Sequence, residues 1–223
     1  CKIAGPKNLA GKKILVVGGG SSEPIDDVRV ISNKSSGLMA TSLCVVAYAM
    51  GANVDLWLGN AVYKPGEWIA TTRFSTLSEL KNMIQGKEKY DAIIVPAALS
   101  DFIPTTVKGK LDSNEPVSLK MKKAPKIIDT LRRKHKGLLY AFKLGSRIKN
   151  DELIKKAEVL LKNCDCVVAN FSDAMGSKES KIAIIDKNIV SKLLPVFRYW
   201  IKLNITKPIA VNKNHTAGNS PLM

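Results

Sequence analysis

Histidine and cysteine are scarce: this 223-residue chain has two and four. Structural zinc normally takes four such ligands at close spacing. His135 and His215 stand alone, and Cys164-x-Cys166 leads into the apolar run Val167-Val168-Ala169. Neither a metal site nor a disulfide framework is expected. Cys1, Cys44, Cys164 and Cys166 read as thiols of a reducing, cytoplasmic compartment. No apolar run approaches the roughly 20 residues of a membrane span, so no membrane association is expected. The opening stretch Cys1–Gly11 has lysines but no apolar core, unlike a secretory signal. It also lacks an initiator Met, which suggests a segment of a longer chain or a processed start.

Acidic residues are few as well, 19 against 35 Lys and Arg, for a formal charge of +16. Nucleic-acid surfaces interleave basic runs with stacking aromatics, but Lys120–Lys126 and Arg132–Lys136 contain none. A basic nucleotide- or RNA-binding module is therefore the lesser reading. Phosphorylated small molecules also favour a positive field. The 45% apolar share suits one domain with a sizeable core.

What is present is an alternation of strand and helix signals. Lys13–Val17 reads as a buried strand ending in Gly18-Gly19-Gly20, and a long loop follows to Lys34. A helix capped by Ser35 or Ser36 is expected to run to Met50, with Met39, Leu43, Val46 and Met50 on its apolar face. Further strands are expected at Asn53–Leu58, Trp68–Phe74, Ala92–Val95, Leu138–Phe142, Cys166–Ala169 and Lys181–Ile185. A half-exposed strand should carry Val117, Leu119 and Met121. Helices are expected at Thr76–Gln85, Lys126–Lys134 and Asp151–Lys162, with His135 an exposed helix residue. The pattern predicts a Rossmann-like three-layer α/β fold, a mostly parallel sheet with helices on both faces. One domain is expected over 1–203, followed by a polar tail over 204–223.

Glycines at a strand end let backbone amides approach a phosphate. A dinucleotide site would run G-x-G-x-x-G straight into the helix and close the second strand with an acid. Here a long loop intervenes, and the second strand ends Leu56-Trp57-Leu58-Gly59. An NAD(P)-dependent oxidoreductase is thereby disfavoured. The loop itself, Glu23-Pro24-Ile25-Asp26-Asp27-Val28-Arg29-Val30-Ile31-Ser32-Asn33-Lys34-Ser35-Ser36-Gly37, gathers acids, an arginine, an amide and hydroxyls before a helix N-terminus, where anions are favoured.

That loop resembles the E-P-[IL]-D-x-V-R-x-[IL]-[ST]-N-x-S-S-G signature of phosphopantothenoylcysteine synthetases. Others follow in family order: Pro96-Ala97-Ala98-Leu99-Ser100-Asp101-Phe102, Gly109-Lys110-Leu111-Asp112-Ser113, Leu119–Ile128, Ala141-Phe142-Lys143-Leu144, Val167-Val168-Ala169-Asn170 and Met175-Gly176-Ser177. The resemblance covers about residues 8–190. Three positions depart from it. Asp27 stands where the family usually has proline, Gly145 where it has glutamate, and Phe171 where it often has aspartate.

The resemblance implies an amide-forming ligase of coenzyme A synthesis that joins 4′-phosphopantothenate to L-cysteine through an acyl-nucleotide. By that resemblance Lys110 serves the first step, and Asn33 orients the intermediate, with Arg29 also at the substrate. Nucleotide contacts are implied for Gly18, Gly19, Gly20, Ser35, Ser36, Gly37, Val95, Pro96, Ala97, Asp101, Lys110, Pro125, Lys126, Ile127, Ile128, Phe142 and Lys162. The co-substrate is CTP or ATP with Mg2+. CTP is the first expectation, although Phe142-Lys143-Leu144 resembles the eukaryotic, ATP-using branch. No protein ligands to the metal are assigned. A homodimer or larger assembly is expected, with a flavin-dependent decarboxylase fused or associated.

Overall fold

The computed structural model describes residues 7–86, 88–171, 179–186 and 194–197. In chain order the elements are β1 (Lys13–Gly18), β2 (Ser22–Pro24), β3 (Val30–Ser32), α1 (Leu38–Ala49), β4 (Asn53–Leu58), β5 (Ala70–Arg73), α2 (Leu77–Met83) and β6 (Ala92–Val95). Then come β7 (Phe102–Pro104), β8 (Met121–Lys123), α3 (Ile127–Lys134), β9 (Leu138–Gly145), α4 (Asn150–Leu161), β10 (Cys166–Phe171), β11 (Glu179–Asp186) and β12 (Leu194–Phe197).

Alternation along β1 divides the core in two. Ile14 and Val16 face α1, while Leu15 and Val17 face the side covered by α2, α3 and α4. Successive strand side chains point to opposite faces, so an unbroken apolar strand requires cover on both. The eight-stranded sheet runs β12-β11-β10-β9-β6-β1-β4-β5. The six strands from β10 to β5 are parallel, and β11 and β12 extend the sheet antiparallel. The fold is thus the Rossmann-like α/β arrangement that the strand–helix alternation predicts. From β1 the chain moves outward to β4 and β5, then returns to the other side of β1 at β6. That reversal opens a crevice at the carboxyl ends of β1 and β6, where open α/β sheets bind ligands.

Helix α1 buries Ala40, Leu43, Cys44 and Ala47, positions three and four apart that share one helix face. Met39 and Val46, expected on that face, are only half-buried at its flank. Small residues win the inner face because the helix lies close to the sheet. A Cβ on Gly18 would come within 2.1 Å of the Ala40 Cβ. Burial also pushes the Cys44 thiol up to about 12, and Cys164 and Cys166 are likewise buried thiols, that of Cys164 donating to the Leu160 carbonyl (3.3 Å).

Several expectations are revised. The loop after β1 contains the β2–β3 hairpin, and the loop after β6 contains β7, which pairs with β8. Val117 and Leu119 lie outside β8 and are exposed. The strand expected over 68–74 is confined to Ala70–Arg73. His135 ends α3 and is buried, not exposed. The Met175-Gly176-Ser177 motif and the tail over 204–223 lie outside the described residues. Among those residues no helix is long and apolar enough to cross a membrane.

Candidate active site

The glycine turn is stitched to both neighbours of β1. Gly20 exchanges backbone bonds with Asn60 beyond β4 (N–H to O 2.8 Å each way), and the Ala98 amide donates to the Gly19 carbonyl (2.8 Å) beyond β6. Gly19 has φ +76°, and a Cβ there would lie 2.8–2.9 Å from the Gly59 backbone. Only glycine meets both conditions without strain. Beneath the turn, buried Ser21 and Ser100 pair through their hydroxyls at 2.9 Å, and the Ser100 amide donates to the Ser21 hydroxyl at 2.9 Å.

From β3 the chain returns as a strap, Asn33–Ser36, over this turn. The Asn33 amide nitrogen donates to the Ser21 carbonyl (3.3 Å), and its side-chain Nδ2 donates to the Ala98 carbonyl (3.0 Å). The strap enters α1 through Gly37, whose φ of +75° is left-handed. This corrects the expected serine cap. The helix is capped by glycine with no side-chain cap bond, and Ser36 offers its hydroxyl to the Leu38 amide only at 3.4 Å. The Ser36 carbonyl accepts instead from the Val62 and Tyr63 amides (3.1 and 2.8 Å). The entry is therefore fixed by the loop after β4. The first-turn amides of α1 are left without intrahelical acceptors.

These segments enclose a cavity of about 180 Å³ at the crevice, lined by Gly19, Lys34–Ala40, Pro96–Ala98, Phe142, Leu144 and Asn170. Among the described residues Lys34 is the one charged residue of that lining. With the N-terminus of α1 it makes a positive surround suited to an anion. A second cavity of about 490 Å³ lies across the strap, lined by residues 32–36 and 60–62. Lys34, Ser35 and Ser36 line both cavities, so the strap is a shared wall.

Lys110 lies outside both linings, on an exposed segment tied to the β2–β3 hairpin. Residues 107, 109 and 111 bond to it in alternation. The Val107 amide donates to the Ile25 carbonyl (2.9 Å), Gly109 bonds Asp27, and the Leu111 amide donates to the Asp26 carboxylate (3.0 Å). Asp26 is buried and also accepts from the amides of Val28 (2.8 Å) and Arg29 (2.6 Å) and from the Arg29 guanidinium. The Leu111 amide first, then those of Val28 and Arg29, hold its carboxyl well below the usual carboxylate range.

Of the residues implied at the nucleotide, the cavity is lined by Gly19, Ser35, Ser36, Gly37, Pro96, Ala97 and Phe142. Gly18 and Gly20 lie behind it, against Ala40 and the Asn33 carbonyl, and Val95 and Ile127 are buried in the core. Asn33 lines the second cavity. Asp101 and Lys126 pair with each other away from the lining, beside exposed Pro125 and half-buried Ile128. Arg29 is engaged by Asp26 and donates to the Leu111 carbonyl (3.2 Å). Lys162 ends α4 at the opposite edge of the sheet, next to where the Asp165 amide meets the Leu139 carbonyl (2.8 Å). The length of β10, at about 3.3 Å per residue, separates Lys162 from the crevice, so it does not reach a triphosphate bound there.

Lys34, Leu38–Ala40, Ala98, Leu144 and Asn170 are lining residues that motif reading did not single out as ligand contacts. Asn170 had a signal, a polar residue closing an apolar strand at the sheet's carboxyl edge. No group of three His, Cys, Asp or Glu side chains able to hold a metal occurs among the described residues.

The chain matches the DNA/pantothenate metabolism flavoprotein C-terminal domain over residues 9–206. It is 32% identical over 195 residues to the coenzyme A biosynthesis bifunctional protein CoaBC of Thermococcus kodakarensis, covering 84% of this chain and 48% of that protein. The chain spans about half the length of the curated relatives it matches. A crystal structure of the C-terminal domain of a bifunctional CoaBC is similar with a TM-score of 0.72 at 25% identity, covering 89% of this chain and 94% of that one. The DNA/pantothenate metabolism flavoprotein of Streptococcus pneumoniae shares the fold, with a TM-score of 0.78 at 24% identity over 87% of this chain and 96% of that one. With the match spanning most of its length, the chain belongs to the family of the DNA/pantothenate metabolism flavoprotein C-terminal domain.

Proposed function

We propose that this chain is a ligase that joins 4′-phosphopantothenate to L-cysteine through an acyl-nucleotide. The observation that carries the reading is the strap Asn33–Ser36, a shared wall between a cavity over a helix N-terminus and a second cavity beside it. A condensation needs its reacting atoms about 3–3.5 Å apart, and cavities that adjoin along one short polar segment can hold two ligands that meet at its rim. In this reading the nucleotide occupies the cavity over α1, and the acid approaches from the Asn33 side.

In the first step a carboxylate oxygen of phosphopantothenate bonds to the α-phosphorus, and the bond to pyrophosphate breaks. Negative charge gathers on the α-phosphate oxygens, where a lysine ammonium lowers the barrier. Lys110 is the residue proposed for that task. In the second step the cysteine amine bonds to the acyl carbon, the nucleoside monophosphate leaves, and the amine gives up a proton. The Asn33 amide, with one Nδ2 proton committed to Ala98, has a second for the developing oxyanion. The described residues do not form a cage for a resident metal. Mg2+ would arrive on the triphosphate, keeping part of its water shell, as it commonly does.

The matched relatives are bifunctional proteins of which this chain spans about half. That supports a second catalytic part beside this one, for which we propose the flavin-dependent decarboxylase, in a homodimeric or larger assembly. The test is pyrophosphate release measured with CTP and with ATP. Release should require phosphopantothenate, and amide product should require cysteine as well. Turnover of neither nucleotide under these conditions would falsify the reading.

A further inference from the structure

We propose that Asp26 and Asp27 are positioning residues that hold Lys110 in register for the first step; this rests on the role given to Lys110 above. Their bonds fall on either side of the lysine and leave its own backbone untouched. On one side, the Asp27 amide donates to the Gly109 carbonyl (3.1 Å) and the Gly109 amide donates to the Asp27 carboxylate (3.0 Å). On the other, the Leu111 amide donates to the Asp26 carboxylate (3.0 Å). Gly109 itself has φ +81° and nothing within 4 Å of an added Cβ, so local packing does not hold it. The orientation of an exposed lysine on a glycine hinge is therefore set by the two flanking acids.

Asp26 is fit for this because it is buried and fully engaged by donors, so its carboxylate cannot swing out to water. Asp27 supplies both halves of its pair of bonds to Gly109. A proline there would have neither an amide proton nor an acceptor side chain. Both Gly109 bonds are consequently additions that a proline at this position lacks. Neither acid lines either of the two cavities beside the strap. Their effect should fall on the chemical step and leave ligand affinity alone.

The experiment compares Asp27→Pro, Asp27→Ala, Asp27→Asn and Lys110→Gln in the full chain. It measures pyrophosphate release and the rate of tryptic cleavage after Lys108. Misplacing a catalytic group by about 1 Å can cost on the order of a hundredfold. Asp27→Pro should lower kcat roughly ten- to hundredfold with KM for nucleotide and acid unchanged, and should speed cleavage after Lys108. Asp27→Ala, keeping the backbone bond, should fall between it and the wild type. Asp27→Asn retains an acceptor oxygen and the amide and should recover most of kcat. Lys110→Gln should lose pyrophosphate release while cleavage after Lys108 stays at the wild-type rate. Full activity in Lys110→Gln would sink the lysine assignment, with the cleavage rates still reporting on the clamp. Wild-type kcat in Asp27→Pro, with cleavage faster or unchanged, or a loss confined to KM, overturns the positioning role.

Discussion

Glu23 of the β2–β3 hairpin accepts a hydrogen bond from the Leu77 amide at 3.0 Å, although the two are 54 residues apart and both buried. A carboxylate from the hairpin thereby joins Thr76, which accepts from the Glu79 amide at 3.1 Å, in satisfying the start of α2. Anions stabilise helix N-termini through the orphan amides and the macrodipole. Glu23→Ala should therefore cost about 1.5–3 kcal/mol, the range for a hydrogen bond to a charged group. Thermal unfolding measures this. A loss no larger than that of an exposed Glu→Ala control would remove Glu23 from the fold's support.

Gly20 marks where the turn and the strap touch. An added Cβ would lie 2.6 Å from the Asn33 carbonyl oxygen, a backbone atom that cannot rotate away. Gly20→Ala should push the strap outward, cost about 1–3 kcal/mol and weaken nucleotide binding. Calorimetric titration with CTP and ATP would check it. Unchanged affinity and stability together would mean that the strap yields freely.

The two half-reactions separate at Asn33 and Lys110. Asn33→Asp should still form the acyl-nucleotide but pass it to cysteine slowly. Losing an oxyanion donor costs about 3–4 kcal/mol in the transition state, roughly a hundred- to thousandfold in rate. The same change turns the donor to the Ala98 carbonyl into an acceptor, so melting temperature should be read alongside. Mass spectrometry of the quenched reaction should find the adduct accumulating in Asn33→Asp and absent in Lys110→Gln. Normal cysteine turnover in the first variant, or no adduct at all, contradicts the assignment.

His135 supplies a pH dependence. Its Nε2 is buried without a hydrogen-bond partner. Burial lowers its pKa, and the Arg132 charge adds to the fall against a backbone bond at Leu138 and the Asp165 charge. With the folded pKa below the unfolded value of about 6.5, the unfolded chain takes up a proton that the native state resists. Stability should hold above that pH and decline as pH drops from 7 to 5. His135→Phe should flatten this decline in melting temperature. An identical slope in the variant would assign the effect to other groups.

The parallel sheet was legible because Ile14–Val17 of β1 and the whole of β6 are apolar without interruption, with Gly18 closing the first and Pro96 following the second. The glycine turn and the strap each carried a signal for anion approach, neither specific alone, and the structure brings the two segments together around one cavity. Helix α1 was read partly off its inner face: Leu43 and Met50 are buried as expected, but Met39 and Val46 sit at the flank. Met39 and Val46 are more hydrophobic than Ala40 and Cys44, but proximity to Gly18 favours small residues inside. Capping by Ser35 or Ser36 looked sound locally, yet the hydrogen bonds from Val62 and Tyr63 to the Ser36 carbonyl come from a loop 26 and 27 residues on. Lys162 stands apart from the crevice for a simpler reason. A helix after β9 runs back across the sheet, so its last residue ends on the far edge. Lys110's ties to the hairpin depend on which carboxylate meets which amide, and no periodicity records that.

The lining of the first cavity starts at Gly19 and finishes at Asn170. No fragment that stops short of β10 possesses it whole. Parallel pairing between distant segments is slow, since loop closure must precede the contacts that reward it. The cavity is thus complete only once β10 has docked, and it is lost when β10 detaches. With the nucleotide in this cavity, as proposed, its affinity should double as a gauge of complete folding. Saturating nucleotide should in turn protect the whole sheet, by about 2.7 kcal/mol at a hundred times its dissociation constant.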